Sequence, residues 1–240
     1  MKLVVGLTFL FATISASSQE VKTTHSKGKI SKVSIGVNFS PGVAFRTYTL
    51  TSQDPQLAYV HHFYDSIEKP KFGFTTGLNV LVEFTKHIGL QTGVQYANQG
   101  YDTRWIGAGS FKSHNSYSFH MLNIPVKVNF KWGNGKVYFV GSAGLNLDIY
   151  MAYTNSFTIQ DSLGNQNTHK HTYTSTFDQI HRFNLSAIAS AGIGYDFNKQ
   201  HSLRFEPTFQ HQLLSQYNGD NTKTYLWSAG LNVAYYFAVR

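Results

Sequence analysis

Two histidine clusters, a serine–histidine–carboxylate set and five scattered charges are the residues of this 240-residue chain with chemical potential. His61-His62 and His169-Lys170-His171 stand in polar stretches, with Asp65 and Asp178 a few positions along. Alternate histidines on an extended segment project to one side and can share a metal. A closed site needs three or four ligands, and no such set is spaced here, so no metal is expected. Ser116, Ser118, His120, Asp148 and His181 supply the residue types of an acyl-transfer site: nucleophile, base and orienting acid. No nucleophile elbow frames either serine, and no ordered triad spacing is seen. The reading is non-enzymatic, with no catalytic residue and no cofactor. A lipid-modifying hydrolase or acyltransferase built on those five residues is the alternative.

The charges Glu83, Lys127, Lys131, Arg204 and Glu206 are informative through the elements that carry them. The clearest such element is the stretch from Met121 to Trp132, followed by Gly133-Asn134-Gly135 and Lys136 to Val140. Two alternating runs around an Asn-Gly turn form the strongest short-range hairpin signal. Leu122, Ile124, Val126, Val128 and Phe130 share one face; Asn123, Pro125, Lys127, Asn129 and Lys131 share the other. A soluble sandwich turns the apolar face inward. A membrane barrel turns it to lipid and keeps the charges in a polar lumen.

Composition favours the barrel. Charged residues are 13% of the chain, about half the usual share. Aromatics reach 15%, while mean hydropathy is negative because Ser, Thr, Asn, Gln and Gly are abundant. The absence of cysteine removes disulfides, thiolate metal sites and lipid attachment through an N-terminal cysteine. Met1-Lys2, the apolar run Leu3 to Ile14 and the small residues to Ser18 read as a secretory signal peptide over 1–18. A flexible lead-in over 19–31 follows. No later segment approaches the roughly 18 apolar residues of a spanning helix, so membrane insertion requires a barrel. The net charge of +8 is scattered along strand faces, and export removes nucleic acid as a partner.

Alternating faces recur at Val33–Phe39, Phe72–Phe84, Ile88–Tyr96, Leu185–Phe197, Leu203–Phe209 and Trp227–Phe237. Between them, 47–69, 100–115 and 151–178 lack a period and read as long loops, whereas 85–87 and 198–200 are tight. A final break lies at 218–221. The expectation is an all-β domain over 32–240: about eight strands in an antiparallel up-and-down transmembrane barrel. Its connections alternate long and short, as extracellular loops and periplasmic turns do. A Greek-key sandwich has no reason to sort its loops this way. Pro125 and Pro207 fall inside strands and are expected at local bulges.

Leu122-Asn-Ile-Pro-Val126, Gly141-Ser-Ala-Gly-Leu145 and Leu203-Arg-Phe-Glu-Pro207 together resemble the PorT-like outer-membrane β-barrel family of Bacteroidota. The resemblance spans roughly Val33 to Phe237 and implies a small barrel in the Gram-negative outer membrane, with a member implicated in secretion. Gly230-x-x-Val233-x-Tyr235-x-Phe237 is similar to the terminal-strand signal read by the barrel-assembly machinery, although three residues follow the last aromatic.

From these readings, Glu83, Lys127, Lys131, Arg204 and Glu206 are expected to fill the lumen as a structural cluster. Tyr96, Tyr117, Trp132, Tyr195, Trp227, Tyr235 and Phe237 are expected to form aromatic girdles. Both termini are expected in the periplasm. The expected function is a membrane-embedded scaffold or interaction protein, possibly accessory to secretion in the family's sense. Its expected partners are outer-membrane lipid, the assembly machinery and an envelope component at the extracellular loops. A soluble periplasmic lipocalin-like binder is a third reading.

Overall fold

The computed structural model describes residues 32–50, 55–107, 111–174, 180–217 and 222–239. The expected signal peptide over 1–18, the expected lead-in over 19–31, Asp178 and the expected break at 218–221 lie outside them.

The described elements are β1 (Lys32–Leu50), α1 (Pro55–Ile67), β2 (Glu68–Glu83), β3 (Ile88–Thr103), β4 (Lys112–Trp132), β5 (Val137–Gln160), β6 (Gln166–Tyr173), β7 (Phe183–Asp196), β8 (His201–Gln212) and β9 (Thr222–Ala238). Each strand pairs antiparallel with its neighbours, β5 joins β7, and β9 returns to β1. Eight strands therefore close an up-and-down ring, with β6 outside it. Closure leaves the ring itself no free edge. The connections 84–87, 133–136 and 197–200 gather at one end, where β1 begins and β9 finishes. The longer connections gather at the other end.

The walls are inverted relative to a soluble protein. Phe72 and Phe139 are 72% and 68% exposed on the outside, while Glu206 and Asp148 inside are 0% exposed. Ile35, Val37, Phe39, Leu78, Val94, Val126, Ile193 and Leu231 continue the outer apolar surface. Asn38, Asn79, Gln91, Gln95, Asn129, Ser190 and Asn232 lie within. A lipocalin-like binder needs the reverse, an apolar cavity beneath a polar surface, so that reading is withdrawn.

The strands outrun the sequence expectation at the long-connection end. Within 47–69, residues 47–50 end β1, Pro55–Ile67 form a 13-residue helix and Glu68 opens β2. Within 100–115, residues 100–103 end β3 and 112–115 begin β4. Most of 151–178 is a β-hairpin, with Tyr153↔Tyr173 to Gln160↔Gln166 in register. Apart from the helix, the described segments at this end are strand without the lipid-facing pattern, which explains their irregular reading.

The prolines also differ from expectation. Pro125 and Pro207 occupy no bulge. The β3–β4 ladder runs from Thr92↔Val126 to Gln95↔Asn123, and the β7–β8 ladder from Ser190↔Thr208 to Ile193↔Phe205, with no shift in register. Each proline keeps its pairing on the other side, with Asn146 and Leu231. A missing N–H weakens the ladder toward one neighbour only, so a local opening suffices. The register shifts that do occur lie at His120/Met121 and Pro70/Phe74.

Candidate functional site: a polar lumen beneath an aromatic cap

Inward-pointing polar side chains form a belt at mid-height. Gln95 of β3 donates to Asn79 of β2 (2.7 Å), and Asn79 donates to Asn38 of β1 (2.9 Å). Asn38 donates to Asn232 of β9 (3.1 Å), which donates to Glu206 of β8 (3.4 Å). Ser190 of β7 donates to Glu206 (3.1 Å) and meets Ser142 of β5 (2.6 Å). One hydrogen-bonded chain thus touches every ring strand except β4. Buried amides and carboxylates are tolerable only when partnered, and these partner across strands.

The sequence-predicted lumen residues distribute around this belt. Arg204 and Glu206 are buried inside it, and the Arg204 guanidinium donates to Asn129 (3.0 Å) and faces the Tyr236 ring. Lys127 is 4% exposed on the inner wall of β4. Lys131 lies nearer the short turns and pairs with Asp196 at 2.9 Å. Glu83 is half-buried at the same end. Nothing in the sequence had singled out Asp196; its place just before the 197–200 turn puts it level with Lys131. Asp148, proposed above as a catalytic acid, is a lumen residue bonded by Asn146, Ser186 and Gln210.

Above the belt the chemistry inverts. On β4, Leu122 to Phe130 place their apolar side chains outward. Beyond Met121, the inward positions become Phe119 and Tyr117 and the outward ones His120, Ser118 and Ser116. Tyr101, Phe119, Met121, Tyr150, Ile180 and Leu226 form a buried cluster, with Tyr117, Tyr153 and Tyr217 packed against it. The Tyr101–Tyr117 and Phe119–Tyr153 ring centroids are 4.7 Å and 5.2 Å apart. Arg46 stacks over Tyr101 at 3.8 Å and forms a two-pronged ion pair with Glu68. Tyr48 donates to the same carboxylate at 2.7 Å. This end is built as a water-soluble β-protein, with an apolar inside and a polar outside.

Tyr117 therefore belongs to the inner cap, not to a girdle. The two strand faces swap polarity between Met121 and Leu122, and Tyr117 lies beyond the swap. Tyr96 and Trp227 face outward near the polarity switch, beside Phe74 and Phe45 respectively. Trp132, Tyr195, Tyr235 and Phe237 face outward near the short turns. From Trp132 up to Leu122, the partner of Tyr96, is about ten residues. At about 3.3 Å per residue and a tilt of about 40°, that is about 25 Å of apolar wall, the height of a membrane band. Gly230, Val233, Tyr235 and Phe237 all lie on β9, between β8 and β1.

The candidate catalytic set is dispersed. His120 meets Tyr96 Oη (2.6 Å) and Thr154 Oγ1 (3.4 Å) on the outer wall. Ser116 and Ser118 instead accept from Lys71. Asp148 is inside the lumen, and the backbone N–H of His181 donates to Gln216 in the cap connections. Among the described residues no three His, Cys, Asp or Glu side chains gather as metal ligands. His169 and His171 alternate on β6, and Asp65 and His62 are exposed on α1.

A family model described as an outer membrane protein beta-barrel domain matches residues 64–211. No curated protein matches the chain. Among solved structures, the chain is similar to the outer membrane protein OprG from Pseudomonas aeruginosa, 11% identical over 87% of this chain and 97% of that one, TM-score 0.41. It is also similar to Neisserial surface protein A, 9% identical over 84% and 95% of the two chains, TM-score 0.40. Ail, the attachment invasion locus protein of Yersinia pestis, is 13% identical over 83% and 97%, TM-score 0.29. Likenesses this distant carry nothing about activity.

Proposed function

Because this chain belongs to the outer membrane protein beta-barrel domain family, we propose that it is a sealed outer-membrane scaffold that acts through its long-connection end. In this reading that end faces the cell exterior, both termini are periplasmic, and residues 1–18 direct export. The observation that supports it most is the aromatic cap. Tyr101, Phe119, Tyr150 and Leu226 fill the lumen where a channel would open, and the elaborated surface sits directly above them. Solute passage requires a continuous wet path, and this packing favours contact over transport. The finer membership in a PorT-like family, with an accessory role in secretion, rests on the Leu122–Val126 and Leu203–Pro207 motifs and is part of the proposal.

Tyr96 and Trp227 act as the outer girdle, and Trp132, Tyr195, Tyr235 and Phe237 as the inner one. Gly230, Val233, Tyr235 and Phe237 serve recognition by the assembly machinery. The β5–β6 hairpin and α1 supply the contact surface, with Tyr59, Val60, Phe63 and Tyr64 exposed on the helix. Replacing residues 155–172 with a short Gly-Ser turn tests this. The ring pairs of β5 with β7 end at Ile149, so the barrel should still insert and show heat-modifiable migration. Loss of secretion or surface attachment in cells carrying that variant supports a contact function. A fully active variant, or stepwise conductance by the intact protein in planar bilayers, overturns it.

A further inference from the structure

The continuous chain of belt hydrogen bonds joins seven ring strands; on the eighth, β4, Asn129 accepts from Arg204, and the next inward residue is Lys127. Its side chain is buried, yet among the described residues its ammonium has no hydrogen-bond partner and no ion pair within 4 Å. It points into a cavity of about 50 Å³ shared with Asn38, Gln95, Gln99, Thr208 and Asn232. One water needs about 10–15 Å³ on this measure, so several water-sized particles fit. The neighbouring acids are otherwise engaged. Glu206 accepts from Ser190 and Asn232, and Asp148 accepts from Asn146, Ser186 and Gln210. Arg204 adds a second cation close to the belt. Two residues up the inner face of β4, Asn123 is fully buried with neither amide atom bonded.

We propose that this cavity is a binding site for one small inorganic anion of halide size, held by Lys127 and the amide side chains around it. A buried ammonium gains most from an acceptor that carries charge, because charge-assisted hydrogen bonds are about twice as strong as neutral ones. Lys127 and Arg204 lie near Glu206, while Asp148, the other buried carboxylate, is engaged by Asn146, Ser186 and Gln210, and an anion supplies Lys127 with the charged acceptor that neither acid provides within 4 Å. Asn38, Gln99 and Asn232 each commit one amide N–H within the wall and have a second to offer, whereas a cation there would face the Lys127 charge. The bound anion completes the belt on its eighth strand and makes lumen packing dependent on the salt present during folding. This site rests on the closed lumen, not on the orientation or the contact function proposed above.

The test uses the full-length mature protein refolded into detergent with sodium bromide. Anomalous diffraction at the bromine edge should place one bromide beside Lys127 Nζ in the wild type and none in Lys127→Met. Lys127→Arg, which keeps the charge, should retain it. In solution, the temperature at which the barrel loses its heat-modifiable form should rise with chloride or bromide but not with gluconate at equal ionic strength. That dependence should vanish in Lys127→Met. Only water at Nζ, a halide elsewhere in the lumen, or equal responses to chloride and gluconate would overturn the proposal. If Lys127→Met fails to insert, the wild-type diffraction and anion series still decide it. Altered secretion or surface contact would bear on the scaffold reading alone.

Discussion

Removing Arg46 should expose how far the cap depends on the buried Arg46–Glu68 ion pair. The Arg46 side chain is 13% exposed and that of Glu68 1%, so the carboxylate has almost no water to fall back on. Arg46→Met keeps the stem that packs on Tyr101 but deletes two charge-assisted donors, leaving Glu68 the bond from Tyr48. Breaking a buried pair costs about 3–5 kcal/mol. The surviving Tyr48 bond and the partial exposure of Arg46 place this loss near about 3 kcal/mol. Arg46→Met combined with Glu68→Met removes the stranded charge and should recover most of it, a coupling of about 2 kcal/mol. Urea titration of the barrel in lipid vesicles, read by the folded band on unheated gels, measures both. A single variant as stable as wild type, or a double variant no better than Arg46→Met, would refute the idea that the cap is locked by this pair.

Other consequences are simpler to read. Gly192 packs so closely on β8 that a Cβ would run into the Phe205 carbonyl, so Gly192→Val should prevent barrel closure and abolish heat-modifiable migration. Of the three tryptophans, Trp132 and Trp227 face the apolar band while Trp105 lies in the 104–111 connection. In single-tryptophan variants, brominated lipid should quench Trp132 and Trp227 strongly and Trp105 weakly. At the β5–β6 tip, bonds from the Asn165 side chain and the Asn165 and Leu163 N–H groups hold the Asp161 carboxyl below its ordinary value of 3.8. A depressed carboxyl stabilises the fold above its unfolded pKa and loses that contribution as pH falls through the lower folded value. Amides of 162–165 should therefore lose hydrogen-exchange protection below about pH 4, while the ring strands keep theirs.

The membrane part of the fold was legible because lipid and lumen impose opposite chemistry on alternate residues. Leu122 to Lys131 declares its register, its faces and the turn after it without any tertiary information. The same rule hid the upper strands. Ser116-Tyr-Ser-Phe-His-Met121 also alternates, but with the apolar residues on the other parity, so a search for one continuous face stops at Leu122. That change of phase marks where the wall leaves the apolar band, and it moved Tyr117 from girdle to cap. Helix α1 escaped the reading of 47–69 because that stretch shows no strand period, although Pro55 suits the first position of a helix. The β5–β6 hairpin has no apolar period, since every residue of β6 is exposed. Which charges meet was partly legible: Lys131 was expected in the lumen, but its partner Asp196 comes from a strand 65 positions away.

The most direct test of a sealed outer-membrane barrel with an exterior platform uses the absence of native cysteine, which makes each introduced thiol a unique probe. Leu163→Cys sits at the β5–β6 tip, 86% exposed, and Asn134→Cys in a short turn at the opposite end. A membrane-impermeant maleimide added to intact cells should label Leu163→Cys, and should label Asn134→Cys only after the outer membrane is opened. Labelling of Asn134→Cys in intact cells with Leu163→Cys protected would mean that the barrel sits the other way up. Equal labelling of both in a soluble periplasmic extract would mean that it does not span the membrane at all.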